Sequence, residues 1–80
     1  MRINAKYFGL IADITNKKEE QLLLDETPIS VATLKTIMET NYPDLKKTTY
    51  SVAVNQSLAA IETQIKTEDT IAFLPPFAGG

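Results

Sequence analysis

Cysteine and histidine are both absent from this 80-residue chain, and so is tryptophan. Without cysteine there is no disulfide, no thiolate nucleophile and no ligand set for an iron–sulfur cluster. Without histidine there is no imidazole base and no ordinary zinc or haem site. Long hydrophobic runs are missing too. None approaches the ~20 apolar residues of a membrane span, and Met1-Arg2-Ile3-Asn4 lacks the apolar stretch of a signal peptide. A cytoplasmic location is expected, with no membrane partner. Nor is there an excess of positive charge. Eight Lys and Arg face ten Asp and Glu, a net charge of −2. Lys17-Lys18 is answered at once by Glu19-Glu20, and Lys46-Lys47 is as short; both read as solvated turns. A nucleic-acid partner needs a basic face, and none is visible. Only three glycines occur, two of them the last two residues, so no phosphate-cradling glycine loop exists.

What is present is a globular composition, 44% hydrophobic, in a length that makes one small domain. Met1, Ile3, Ala5 and Tyr7 alternate with Arg2, Asn4 and Lys6 as a half-buried strand, and Phe8 breaks the pattern by projecting on the polar side. A short helical turn or loop follows over 9–18. A second strand over Glu20–Asp25 then pairs with the first as a hairpin. Ser30 is a good N-cap for a helix with Val31, Leu34, Ile37 and Met38 on one stripe, ended near Asn41 by Pro43. Ser51–Val54 reads as a strand, Asn55-Gln56-Ser57 as a turn into an extended piece over Leu58–Ile61, and Thr70–Leu74 as the last strand, stopped by Pro75-Pro76. The pattern predicts an α+β roll, a mixed sheet of about four to five strands with one main helix across it and the last strand beside the first, as in a β-grasp. Residues 1–74 form the domain and 75–80 an extended tail.

Side-chain catalysis has little to stand on. Glu19-Glu20 and Glu68-Asp69 are adjacent carboxylates that read as solvated turn residues, and a Ser or Thr nucleophile has no histidine beside it. The tail is the better candidate. Composition alone would place two glycines at a chain end in only ~0.5% of sequences. Without Cβ atoms, Gly79 and Gly80 fit a narrow channel, and the acyl carbon of Gly80 is unhindered. Pro75-Pro76 keeps the tail from folding back, and residues 75–80 reach up to ~20 Å when extended. A carboxylate there becomes an electrophile only once a separate enzyme converts it to a mixed anhydride such as an acyl-adenylate. A sulfur nucleophile then gives a thiocarboxylate, and an amine gives an amide.

The ending Ile71-Ala72-Phe73-Leu74-Pro75-Pro76-Phe77-Ala78-Gly79-Gly80 resembles the small, ubiquitin-like subunit of molybdopterin synthase, the sulfur carrier of molybdenum cofactor biosynthesis. Further matches lie at Tyr7-Phe8-Gly9, Tyr42-Pro43-Asp44-Leu45 and Val52-Ala53-Val54-Asn55-Gln56, so the resemblance spans the chain. It implies a ubiquitin-like β-grasp fold. It also implies that the Gly80 carboxylate is adenylated by a ubiquitin-activating-like enzyme using ATP, then thiocarboxylated. Pro75, Pro76, Phe77, Ala78 and Gly79 would thread into the large synthase subunit, where sulfur passes to a cyclic pyranopterin phosphate. Two carriers and two large subunits would form a heterotetramer. The chain would bind no permanent cofactor or metal, and the catalytic side chains would belong to the partner.

The family docks through an apolar patch, which the resemblance assigns here to Phe8, Leu58 and Leu74; Leu74 lies opposite the Ile71/Phe73 face and so shares a side with Phe8. Two positions depart from the family. Glu68 stands in the turn before the last strand, where glycine is common, and Asn16 stands at another glycine-rich position; a positive φ would strain the glutamate more than the asparagine. Phe77 is bulkier than the usual residue there. Other functions share the features: a ubiquitin-like protein modifier, with the same tail chemistry up to the adenylate, a sulfur carrier of the thiamine type, and an interaction domain with an inert tail. The Pro-Pro lead-in favours the molybdopterin carrier.

Overall fold

The computed structural model describes residues 1–76. The alternation at the N-terminus makes β1, Arg2–Tyr7, with Ile3, Ala5 and Tyr7 buried. Gly9 ends the strand geometry at φ 53° and ψ −128° and opens the short helix α1, Leu10–Thr15, which closes on Asn16 at φ 61°. Asparagine tolerates that left-handed conformation. The chain returns as β2, Glu19–Leu23, antiparallel to β1 with Ile3 opposite Leu22. A two-residue strand β3, Ile29–Ser30, leads into α2, Val31–Asn41. The Ser30 hydroxyl accepts a hydrogen bond from the Thr33 amide at 3.1 Å, the expected N-cap. Val31, Leu34 and Met38 are buried along one stripe, and Ile37 is half-buried. Pro43 starts a 3₁₀ turn, Pro43–Lys47, that buries Leu45.

The remaining strands are β4, Ser51–Val54, β5, Ser57–Leu58, β6, Gln64–Ile65, and β7, Thr70–Leu74. Among the described residues, five strands form one sheet in the order β2-β1-β7-β4-β5, and β3 pairs with β6 apart from it. β1 and β7 run parallel at the centre, and the other pairs of the sheet are antiparallel. This is the β-grasp arrangement expected: a mixed five-stranded sheet, one main helix, and the two ends of the chain paired. Ile3, Leu34, Met38, Ile65, Ile71 and Phe73 are wholly buried in the core between sheet and α2.

Two readings of the sequence change. The extended piece expected over Leu58–Ile61 stops at Leu58, and Ile61 lies in a turn. The reason is hydrogen bonding: the Ile61 and Thr63 carbonyls accept from the Ala32 and Val31 amides, serving the open N-terminus of α2 instead of a strand ladder. The second strand, expected over Glu20–Asp25, runs Glu19–Leu23, so the Glu19-Glu20 pair read as solvated turn residues lies within β2, where alternation leaves Glu19 exposed and turns Glu20 inward.

The turn between β4 and β5 has Asn55 at φ 50° and Gln56 at φ 74°. Two positive φ angles in a two-residue hairpin loop make a type I′ turn, which favours Asn-Gly. Asn55 also ties this turn to β7, its side-chain oxygen accepting from the Thr70 amide at 2.9 Å. Gln56 makes no side-chain hydrogen bond among those described. Gln56→Gly should therefore relieve strain without losing a contact, stabilising the fold by about 1 kcal/mol and raising the melting temperature by roughly 4–8 °C in thermal unfolding. Glu68 also has a positive φ, 71°, as the family's glycine suggested. Its amide donates to the Arg2 carbonyl and its carboxylate pairs with Arg2 Nε at 2.9 Å, in an exposed ion pair that offsets little of the strain.

Candidate functional site

The sheet face away from α2 is where the candidate docking residues meet. Directly opposed residues on neighbouring strands point to the same side. The register opposes Lys6 to Ala72, Ala72 to Ala53, and Ala53 to Leu58, giving one row across four strands. The next row holds Leu74 opposite Ser51, with Phe8 beside Leu74, because the Phe8 amide donates to the Phe73 carbonyl at 3.2 Å. Phe8 is 45% and Leu58 75% exposed, and Leu74 is half-buried. All three lie outside the core cluster. Strand spacing separates Phe8 and Leu58 by about 14 Å across three strand intervals, and Phe8 lies a further two residues along the strand direction. Ala72 and Ala53 floor the space between them, so the rows make a shallow apolar dish with larger side chains at its sides.

The tail leaves from the rim of this dish. Leu74 ends β7, and Pro75 lies against Gly9: a Cβ added at Gly9 would sit 3.0 Å from Pro75 Cγ. Gly9 is therefore required twice, once for φ 53° and once for space. Phe77, Ala78, Gly79 and Gly80, the rest of the predicted tail, lie outside the described residues.

On the opposite side of β1 is a polar cluster that the sequence did not reveal. Glu20 Oε2 accepts from the Tyr7 hydroxyl at 2.5 Å and the Tyr42 hydroxyl at 3.1 Å, while Oε1 pairs with Lys17 Nζ at 2.9 Å. Burial pushes the Glu20 carboxyl up, but the hydrogen bonds from Tyr7, Lys17 and Tyr42 outweigh it and hold the group below its ordinary value of 4.5. Burial, then the bond to Glu20, pushes the Tyr7 hydroxyl well above 10, and burial with the Glu39 bond does the same to Tyr50. The tyrosines stay protonated in the folded state after the unfolded chain has begun to lose their protons, so stability should fall as pH rises past about 10. Glu20 contributes in the other direction. Its stabilisation is present above its unfolded value and drains away as pH falls below about 4.5. Urea midpoints measured from pH 3 to 7 should show a shallower acid limb in Glu20→Gln than in the wild type. Equal slopes would remove Glu20 from the acid response. The cluster braces Tyr7, next to Phe8 and Gly9, and is structural in chemistry: it faces the core side of the sheet, away from the dish.

A sequence profile of the ThiS family matches residues 5–80. The chain belongs to the ThiS family. A Mycobacterium tuberculosis relative, the molybdopterin synthase sulfur carrier subunit, is 28% identical over 82 residues, covering 100% of this chain and 99% of its own. Among solved structures, the small archaeal modifier protein 1 of Haloferax volcanii superposes with a TM-score of 0.81 at 16% identity, over 94% of this chain and 97% of its own. A Helicobacter pylori chain from a complex of subunits 1 and 2 of molybdopterin-converting factor gives 0.70 at 24% identity, over 100% of both chains. At these identities the structures establish the shared fold, and the ThiS profile establishes the family. The profile reaches Gly80, so the tail beyond Pro76 belongs to the family region of the sequence. Among the described residues no helix is long and apolar enough to cross a membrane.

Proposed function

We propose that this ThiS-family chain is the sulfur-carrying small subunit of a molybdopterin synthase, acting in the cytoplasm. What carries the reading is the family match running through Leu74-Pro75-Pro76-Phe77-Ala78-Gly79-Gly80 in a chain with no cysteine or histidine. The reacting group is then the Gly80 carboxylate. An activating enzyme joins it to the α-phosphate of ATP, releasing pyrophosphate and leaving an acyl-adenylate. A sulfur nucleophile attacks the acyl carbon and AMP departs with one carboxylate oxygen, giving the thiocarboxylate. In the large subunit the sulfur passes to a cyclic pyranopterin phosphate, and water restores the Gly80 carboxylate. The large subunit supplies the catalytic side chains, and two copies of each subunit assemble.

The chain's own contribution is delivery. The dish of Phe8, Leu74 and Leu58 holds the large subunit, and Gly9 against Pro75 aims the tail from its rim. The subunit 1–subunit 2 complex of the Helicobacter pylori protein supports such a partner. A protein modifier would use the same adenylate with a lysine amine as nucleophile. Reconstitution separates the two. With the activating enzyme, ATP, a sulfur source, the large subunit and the pyranopterin, the carrier reading expects a dithiolene product in proportion to charged carrier. Amide-linked conjugates on other proteins with no dithiolene would establish the modifier instead.

A further inference from the structure

The carrier role leaves one edge of the sheet unused. β2 is an outer strand, with no strand on its far side among the described residues. Met1 and Leu24 exchange backbone hydrogen bonds, and the Tyr7 amide donates to the Lys18 carbonyl. By alternation, Glu20 and Leu22 also turn their backbone groups towards β1, so Glu19, Gln21 and Leu23 present theirs outward. Leu23 is 80% exposed, the most of any large apolar side chain described. At this end the edge opens into a groove between α2 and the chain leaving β2, lined by Leu24, Ile29, Thr33 and Ile37, with Asp25 and Glu26 at its rim. Among the described residues the ion pairs are Arg2–Glu68, Lys17–Glu20 and Lys47–Asp44. Asp25, Glu26 and Glu19 are in none of them.

We propose that the β2 edge and this groove bind an extended peptide segment as an added strand. Its alternate apolar side chains enter the groove, and a lysine or arginine meets Asp25 and Glu26. Main-chain hydrogen bonds supply affinity in such pairing, and pockets for alternate residues supply selectivity. Charge favours a basic segment, because three unpaired carboxylates, Glu19, Asp25 and Glu26, lie along the edge and groove, against Lys18 at one end and the N-terminal ammonium, which donates to the Leu24 carbonyl, at the other. A second copy of this chain fits less well. Antiparallel pairing of two β2 edges about Gln21 would set each Glu19 against a Leu23, and one short strand covers far less than the roughly 1,000 Å² of a stable interface. The groove lies at the far end of β2 from Phe8, so carrier docking and peptide binding do not compete for it.

The test is an amide chemical-shift titration of the full chain with a synthetic peptide of alternating valine and threonine, flanked by a lysine pair at each end. Shifts should concentrate at Glu19, Gln21, Leu23, Ile29, Thr33 and Ile37. Gln21→Pro removes an outward-facing amide and the exposed 3.4 Å side-chain bond from Gln21 to Asn4 but no backbone bond to β1, so the β1 ladder survives while affinity falls about tenfold. Should that variant lose the wild-type spectrum, the exposed pair Asp25→Lys and Glu26→Lys gives a second comparison. It should weaken the lysine-flanked peptide at least about threefold and strengthen a glutamate-flanked one. No shifts, shifts centred on Phe8 and Leu58, or affinity indifferent to these substitutions would overturn the proposal. So would broadening of the β2 amides with protein concentration alone, which assigns the edge to a second copy.

Discussion

Phe8→Asp should cut the affinity of the chain for the large subunit by at least about thirtyfold while moving its own melting temperature by only a few degrees. The separation follows from where Phe8 sits. It projects on the outer face beside Leu74, 45% exposed, and contributes nothing to the core cluster. An aspartate there keeps its charge hydrated in the free protein. In the complex the same charge would be buried against an apolar partner, and that desolvation is the cost read as lost affinity. Leu58→Asp, 75% exposed at the other side of the dish, should act the same way. Titration calorimetry with the purified large subunit measures both. Unchanged affinity in both variants would move the docking surface off this face.

The second large effect is expected at Gly9, and it falls on folding and delivery together. At φ 53° and ψ −128° an L-residue is strongly strained, and a Cβ would meet Pro75 at 3.0 Å. Gly9→Ala should therefore destabilise the domain by about 2 kcal/mol, roughly 10 °C in melting temperature. Pro75 directly follows the last residue of β7, so the methyl group also displaces the root of the tail. Charging of the tail should slow even at temperatures where the variant is fully folded. Pro75→Ala in the Gly9→Ala background removes the ring that the methyl meets and should restore part of the charging rate without restoring the backbone strain. A double variant no faster than Gly9→Ala would mean that strain alone accounts for the loss.

Much of this architecture is legible in the residues. The period-two alternation of Ile3, Ala5 and Tyr7 marks β1, and Ser30 with Pro43 bounds α2 at both ends, because capping and proline sterics are local. Phe8 stands out by breaking an alternation, and its outward placement follows from that alone. The parts not legible depend on tertiary partners. The two-residue strands β3 and β6 are too short to show a period. Ile61 ends its extended run early because α2 needs its carbonyl, 29 residues from the amide it serves at Ala32. Glu20 looks like one of a pair of solvated acids until the fold brings it to Tyr7, 13 residues away, and Tyr42, 22 away. Leu23 hides in the run Leu22-Leu23-Leu24, where only the strand's phase tells which leucine faces out.

The central claim is that the chain works through the Gly80 carboxylate and no side chain. Intact-mass spectrometry tests it most directly, on the full chain incubated with its activating enzyme, ATP and a sulfur source. One oxygen replaced by sulfur is predicted, located at Gly80 by fragmentation and abolished when Gly80 is deleted. Full charging of the chain lacking Gly80, or sulfur located on any internal residue, would contradict it.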